Sequence, residues 1–254
     1  MHKLSYEYIV DFDYFGLSDI GKVRSRNEDF WQVDLSSQLV AIADGMGGCL
    51  GGDVASQEAV INLVELVSQK FSELMVCRDD EYKEDLKNIL SKINGLIYEQ
   101  GLIKAHLQGM GTTLSFIQFR QDKAWIVHVG DSRIYRLRGG ELCCLTEDHS
   151  LANQLKNRYE LSKQMKKMYS YRHILTNALG SRPNVEPDIQ DISCEREDLF
   201  VLCSDGLTNM VSDTDIRDIL FQSSTLEERG NALISLANSH GGADNVTVVL
   251  VQIQ

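Results

Sequence analysis

Six short segments of the chain gather glycine and small polar residues, five of them around acidic side chains. They are Arg24–Asp29 (RSRNED), Ala43–Gly48 (ADGMGG), Gly111–Leu114 (GTTL), Val129–Arg133 (VGDSR), Ser204–Gly206 (SDG) and Asp244–Asn245 (DN). Asp44 and Asp205 each follow an apolar run and precede a glycine, Asp131 follows the run ending at Val129, and Asp244 stands just ahead of the run starting at Val246. A carboxylate at a strand end is rigidly aimed, and a following glycine lets backbone or ligand approach closely. If those strands are neighbours, the four aspartates converge. Gathered carboxylates repel one another at neutral pH, so convergence requires cations. Oxygen donors of this kind select Mg2+ or Mn2+ over zinc, which prefers cysteine and histidine. Taken singly, each aspartate reads more readily as a turn former or helix cap. The setting shared by all four favours a hard-metal site, and with it metal-dependent hydrolysis.

Two rival chemistries can be tested on the same residues. A dinucleotide-binding GxGxxG starting at Gly45 requires glycine at position 50, which is Leu50. Asp44 would also set an anion beside the pyrophosphate, against the logic of that motif. A cysteine-dependent phosphatase requires arginine six residues beyond the cysteine. The positions six beyond Cys49, Cys77, Cys143, Cys144, Cys194 and Cys203 are Ala55, Lys83, His149, Ser150, Phe200 and Asn209, so that mechanism has no support. Ser132 lacks a companion histidine signature for nucleophilic catalysis.

The elements that must position these residues follow from hydrophobic spacing. Leu39–Ala43 is a buried strand by pattern, followed by the glycine-rich turn 45–52, with Asp53 placed to cap a helix. Val60, Leu63, Val64, Val67, Phe71 and Leu74 give helical spacing from Val54 to about Met75, and Leu86, Ile89, Leu90, Ile93, Leu96 and Ile97 stripe a second helix. Leu114–Phe119 and Ala124–Val129 flank the turn 120–123, and Arg133–Leu137 and Glu141–Leu145 flank Gly139-Gly140, two hairpin signals. Leu199–Cys203 and Val246–Ile253 read as further strands, and Thr214–Leu220 and Leu226–Ser239 as helices. Consecutive antiparallel hairpins argue against an all-parallel doubly wound sheet. No linker-like stretch or repeat divides residues 1–254, so one domain of packed sheets with helices outside is expected.

The bulk of the chain narrows partners and compartment. A net charge of −12 argues against a nucleic-acid backbone as partner. Leu151–His173 runs the other way: Lys156, Arg158, Lys163, Lys166, Lys167 and Arg172 against Glu160 give it +5 and leave −17 elsewhere. Six cysteines with no CxxC pair are read as reduced. With no evident signal peptide and no apolar run of transmembrane length, a cytoplasmic location away from membranes is expected.

The order RxxxED, ADGMGG, GTTL, VGDSR, DHS, SDG, DN resembles the metal-dependent protein serine/threonine phosphatases of the type 2C family, in their bacterial single-domain form. The resemblance runs from about Gly16 to Val251. It implies an α+β fold, a four-layer α-β-β-α sandwich of two antiparallel sheets flanked by helices. It implies Mn2+ or Mg2+, two core ions with a third, weaker site, and phosphorylated proteins as substrates of a monomer. Asp44 would bridge the two core ions, Asp205 and Asp244 would complete the first ion's ligands, and the Gly45 carbonyl would bind the second. Glu28 and Asp29 would hold metal-bound waters and orient the cluster. Asp131, with Asp205, would serve the third ion, and Arg24 would clamp the substrate phosphate. The attacking group would be water activated between the cations, with no phosphoenzyme. A pseudophosphatase, recognising phosphoproteins without turnover, is the alternative.

The chain departs from the family pattern in three places. Met46 stands where eukaryotic members carry a histidine general acid. Cys49 stands where bacterial members often have histidine, and is read as a turn residue. Residues 150–176, a flap beside the active site in relatives, hold the basic strip, which would recruit acidic or phosphorylated partners. His149 is read as structural, Thr112 and Thr113 as bonded beneath the aspartates, and Asn245 as shaping the backbone.

Overall fold

The computed structural model describes residues 10–46, 51–158, 171, 173–222 and 224–254. Cys49 and the strip residues Lys163, Lys166, Lys167 and Arg172 lie outside them.

Among the described residues, eleven strands form two sheets. One runs β1 (Phe12–Asp19), β11 (Val246–Ile253), β10 (Leu199–Cys203), β7 (Arg133–Arg138), β8 (Glu141–Cys144). The other runs β2 (Asp29–Asp34), β3 (Leu39–Met46), β5 (Leu114–Arg120), β6 (Lys123–Val129), β9 (Asp188–Ser193), with β4 (Gly111–Thr112) paired to the end of β3. All pairings are antiparallel.

The apolar runs are continuous because each central strand is covered on both faces. Alternate residues of β3 part company: Val40 and Ile42 join Ile117, Phe119, Phe200, Leu202 and Val249 in the core between the sheets. Leu39, Ala41 and Ala43 pack outward under α1 (Gly52–Leu74) and α2 (Asp79–Ile103), with Val60, Leu63, Leu86 and Ile93. On the far side Tyr135, Val201, Cys203 and Val248 lie under α5 (Asp213–Leu220) and α6 (Leu226–Ser239), meeting Ile216, Leu220 and Leu233. The period of two distributes one apolar string between two cores. The result is the expected α-β-β-α layering. The short helices α3 (Leu151–Arg158), which holds Lys156 and Arg158, and α4 (Asp205–Thr208) sit between strands.

Three details depart from the sequence reading. β3 continues through Asp44 and Gly45 to Met46, because Gly45 pairs with Thr112 of β4, so Asp44 lies within a strand. The N-cap of α1 is Gly51 in a left-handed conformation (φ 113°), and Asp53 sits in the first turn, where its charge suits the helix dipole. The strands β1, β2 and β9 went unread. Each lies at a sheet edge, where a half-covered strand carries little apolar signal: β9 is DIQDIS.

Candidate active site

Antiparallel order delivers the acidic residues to one end of the sandwich from both strand directions. Asp44 comes from the end of β3, Asp131 from just past β6, and Asp205 from just past β10. Asp29 begins β2, and Asp244 precedes β11. Pairing of β2 with β3 sets Asp29 opposite Asp44. Arg24, Glu28, Asp44, Gly45, Asp131, Asp205 and Asp244 all line one cleft of about 750 Å3. Of the residues expected from sequence, Asp29 alone lies off the cleft wall: it is buried beneath.

The two Asp-Gly corners need glycine for close backbone approach. A Cβ on Gly45 would lie 2.1 Å from the Gly52 carbonyl oxygen and 2.6 Å from that of Glu28, and one on Gly206 would lie 1.9 Å from the Asn245 oxygen. The loops carrying Glu28 and Asn245 therefore press directly on the backbone following each aspartate. Beneath them, Thr113 donates its backbone N–H to the Asp44 carbonyl at 2.9 Å, and the Asp44 N–H donates to Thr113 Oγ1 at 2.9 Å. Thr112 Oγ1 donates to the same carbonyl at 2.9 Å. Asn245 Oδ1 accepts from the Glu28 N–H at 2.9 Å, and its Nδ2 donates to the carbonyls of Ile20 (3.0 Å) and Arg26 (2.8 Å). Asn245 thus fixes the arginine-bearing loop to the aspartate-bearing one.

The electrostatics of the cleft run one way. Burial, then the charges of Asp29, Asp205, Asp131 and Asp244, hold the Asp44 carboxyl well above the usual range. Burial, then Asp205 and Asp148, pushes Asp131 to about 8. Asp29 is pushed up to about 7 by burial, against the hydrogen bonds it accepts from Thr247 Oγ1 (2.6 Å) and Ser204 Oγ (2.8 Å). Asp205 is raised by burial and Asp244, with His173, Asn209 and Arg24 opposing. Glu28 is raised by burial and Asp53. So many upward shifts at one place mean that the fold does not supply enough positive charge to neutralise what it gathers.

The residues fit hard divalent cations. Asp29 Oδ1 is buried with no hydrogen-bond partner, an orphan acceptor that positive charge nearby would satisfy. The donors are carboxylates and a carbonyl, and His173 is the one histidine on the cleft wall among the described residues. Among these residues no three acidic, histidine or cysteine side chains already close on a common point. Two of the carboxylates hold protein partners: Asp244 Oδ2 accepts from Arg24 at 2.7 Å, and Asp205 Oδ2 accepts from Asn209 at 2.9 Å.

Several neighbours are structural. His149 bonds to the Gly130 N–H through Nδ1 (3.2 Å) and to Asp188 through Nε2 (3.0 Å), away from the cleft wall. Asp148 accepts two bonds from Arg133, at 2.8 and 2.7 Å. Ser132 Oγ meets Thr113 Oγ1 at 2.7 Å. The Ser–His couple in this region, Ser115 Oγ to His128 Nδ1 at 2.8 Å, is fully buried, and burial holds His128 down to about 4, so it is neutral and out of reach of substrate. The sequence reading missed Arg26 and His173. Both line the cleft, and His173 Nδ1 stands 3.9 Å from Asp205 Oδ2. Arg26 lies within RSRNED and His173 in a turn, but neither adjoins an apolar run of strand length that would have singled it out.

Comparisons with known proteins agree with this geometry. The family model described as Protein phosphatase 2C matches residues 21–237. The serine/threonine phosphatase stp of Listeria monocytogenes is 39% identical over 240 residues, covering 92% of this chain and 93% of that protein. The S. agalactiae serine/threonine phosphatase superposes with a TM-score of 0.85 at 36% identity, covering 96% of this chain and 100% of the other. The catalytic domain of serine threonine protein phosphatase PstP, in complex with two manganese ions, superposes with a TM-score of 0.81 at 35% identity, covering 95% and 98%. An oxygen-lined acidic cleft at the end of a two-sheet sandwich, matched over most of its length, places this chain in the protein phosphatase 2C family.

Proposed function

We propose that the cleft hydrolyses phosphoserine and phosphothreonine on proteins with the help of Mn2+ or Mg2+. The observation that carries this reading is the meeting of five cleft carboxylates (Glu28, Asp44, Asp131, Asp205 and Asp244) with Arg24 on one wall. Asp44 would be shared between two core cations, Asp205 and Asp244 would serve one of them, and the Gly45 carbonyl the other. Asp131 and Asp205 would hold a third. When bound, these cations would supply Lewis-acid activation of water and neutralise charge on the phosphate.

The chain's own groups do the rest. Arg24 offers a planar fork that matches two phosphate oxygens. Glu28 flanks the site from the loop that Asn245 fixes. Asp29, held by Ser204 and Thr247, sets the floor under Asp44. Met46 lines the cleft where a side-chain acid would stand, and a thioether has no proton for the leaving oxygen. No observation favours a non-catalytic scaffold, since every residue of the expected site is present.

The test is hydrolysis of a phosphothreonine peptide and of p-nitrophenyl phosphate with Mn2+ added or chelated. Activity should require the metal, and Asp205→Ala should lower kcat by about a thousandfold. Metal-independent turnover, or an active Asp205→Ala protein, would overturn the assignment.

A further inference from the structure

Arg24 is expected to hold substrate phosphate, and Asp244 to hold a cation, yet the two are bonded to each other. Arg24 Nη2 donates to Asp244 Oδ2 at 2.7 Å, while Asp244 Oδ1 accepts the Asn245 N–H at 2.8 Å. Both oxygens of this carboxylate are therefore engaged, one by the backbone and the other by the guanidinium. The backbones cannot part easily. Asn245 ties Ile20, Arg26 and Glu28 to the Asp244 loop, and the Lys22 N–H donates to the Gly242 carbonyl at 2.8 Å. Any rearrangement falls on the side chains. Arg26, two residues on, lines the same cleft but is in no ion pair among the described residues.

We propose that Arg24 is a latch shared between Asp244 and the substrate phosphate, so that cation binding at Asp244 releases the phosphate clamp. A carboxylate oxygen that takes up a dication is no longer a favourable site for a guanidinium, since the two positive charges would stand a few ångströms apart. Displaced from Asp244, Arg24 keeps its loop position and its fork is free for the phosphate, while Glu28 and Asp44, the other anions acting on it, would be engaged at the same cation-loaded cleft. The linkage is reciprocal: a phosphate that draws Arg24 away frees Asp244 for the cation. The cleft would then load its cation and its phosphate together, and a metal-free chain would hold its clamp shut. This rests on the reading of the cleft as a metal-dependent phosphoesterase site.

The test reads binding rather than turnover. Mn2+ is titrated calorimetrically into the metal-stripped full chain, as wild type, Arg24→Ala and Arg26→Ala. Both variants remove one positive charge from the same loop, but only the first opens the latch. Arg24→Ala should bind Mn2+ about three- to tenfold tighter, the modest size reflecting a half-exposed pair, with Arg26→Ala within about twofold of wild type. Equal tightening in both would mean simple charge loss and would overturn the latch, as would unchanged or weaker binding in Arg24→Ala.

The second arm titrates inorganic phosphate into metal-free Asp244→Asn and Asp205→Asn. An asparagine at 244 still accepts the Asn245 N–H, so the loop is retained. Asp244→Asn should gain phosphate affinity severalfold over Asp205→Asn, and equal gains would again sink the latch. Failure of wild type to bind Mn2+ at all would instead overturn the underlying metal-site reading.

Discussion

Two aspartates of this chain, one fully buried and one half-buried on the cleft wall, meet opposite fates. Asp198, fully buried below the far sheet, receives two bonds from Arg138 at 2.6 Å each and a third from the Glu195 N–H at 2.9 Å. Asp44, at the cleft, has no side-chain hydrogen bond among the described residues and faces Asp29, Asp131, Asp205 and Asp244. The first is a closed arrangement in which the chain brings its own cation. The second is open: the fold concentrates negative charge and leaves its neutralisation to something from outside. Asp79 belongs with the first, its carboxyl held below the usual range by Lys123 and Arg120 at 2.7 Å each. A carboxylate is therefore informative here only together with its partner. Where the partners are only arginine or lysine, as at Asp198 and Asp79, the role is architectural; where other carboxylates face it, as at Asp44 and Asp244, it is functional, even though Asp244 also holds Arg24.

That contrast can be broken by exchanging charge for shape. Asp44→Asn should abolish Mn2+-dependent hydrolysis, lowering kcat by at least about a thousandfold, yet raise the melting temperature of the metal-free chain by relieving repulsion. Asp198→Asn should do the reverse, leaving kcat within about threefold while costing about 1–3 kcal/mol of stability, as Arg138 loses its buried partner but keeps Glu195 and the Ser193 carbonyl. Urea melts and assays on the two proteins check both halves, and parallel behaviour would erase the distinction.

The glycine corners come next in size. Gly206→Ala should cost about 2–4 kcal/mol, because its Cβ would lie 1.9 Å from the Asn245 backbone oxygen and the loop behind it cannot retreat. Gly45→Ala should behave alike in the same urea melts, with Gly52 and Glu28 as the obstructing carbonyls.

Smaller still is the pH dependence of the metal-free fold. Asp131 at about 8 and Asp29 at about 7 both lie above the ordinary aspartate range, so between about pH 4 and those values the folded chain holds more protons than the unfolded one. Stability is then present at the acid end of that window and is lost as pH rises through it. Metal-stripped protein should melt about 5 °C lower near pH 8.5 than near pH 5.5, and Mn2+ should restore more at the higher pH. A flat thermal profile would mean that the carboxylates are neutralised within the chain.

The smallest effect tests the opposite region. Gly95 lies inside α2, and a Cβ added there would meet nothing within 4 Å. Gly95→Ala should therefore gain about 0.5–1 kcal/mol in a urea melt without touching activity.

How much of this was legible follows the same division. The central strands β3, β10 and β11 were readable because burial on both faces makes their sequences largely apolar, and β5 and β6 because two mostly apolar runs flank a short turn. The edge strands β1, β2 and β9 were not, because half-covered strands carry mixed residues, and for β1 and β9 the pairing partner is also distant in sequence: β1 lies against β11, at the other end of the chain. Likewise Asp44, Asp131, Asp205 and Asp244 could be picked out by a local signature, a carboxylate at the boundary of an apolar run. Arg26 and His173 carry no such signature and became visible only when the loops closed over the cleft.

By itself, then, the sequence determined which side chains could do chemistry, what kind of ion they could hold, and which family pattern they follow. Those depend on residue type and local spacing, which survive in one dimension. The tertiary structure decided which carboxylates are neutralised and which are left open, that Asp29 lies beneath the cleft, and that Arg24 is bonded to Asp244. Those depend on the distance between charges and on what excludes water around them, and both are set only when strands from opposite ends of the chain pack together.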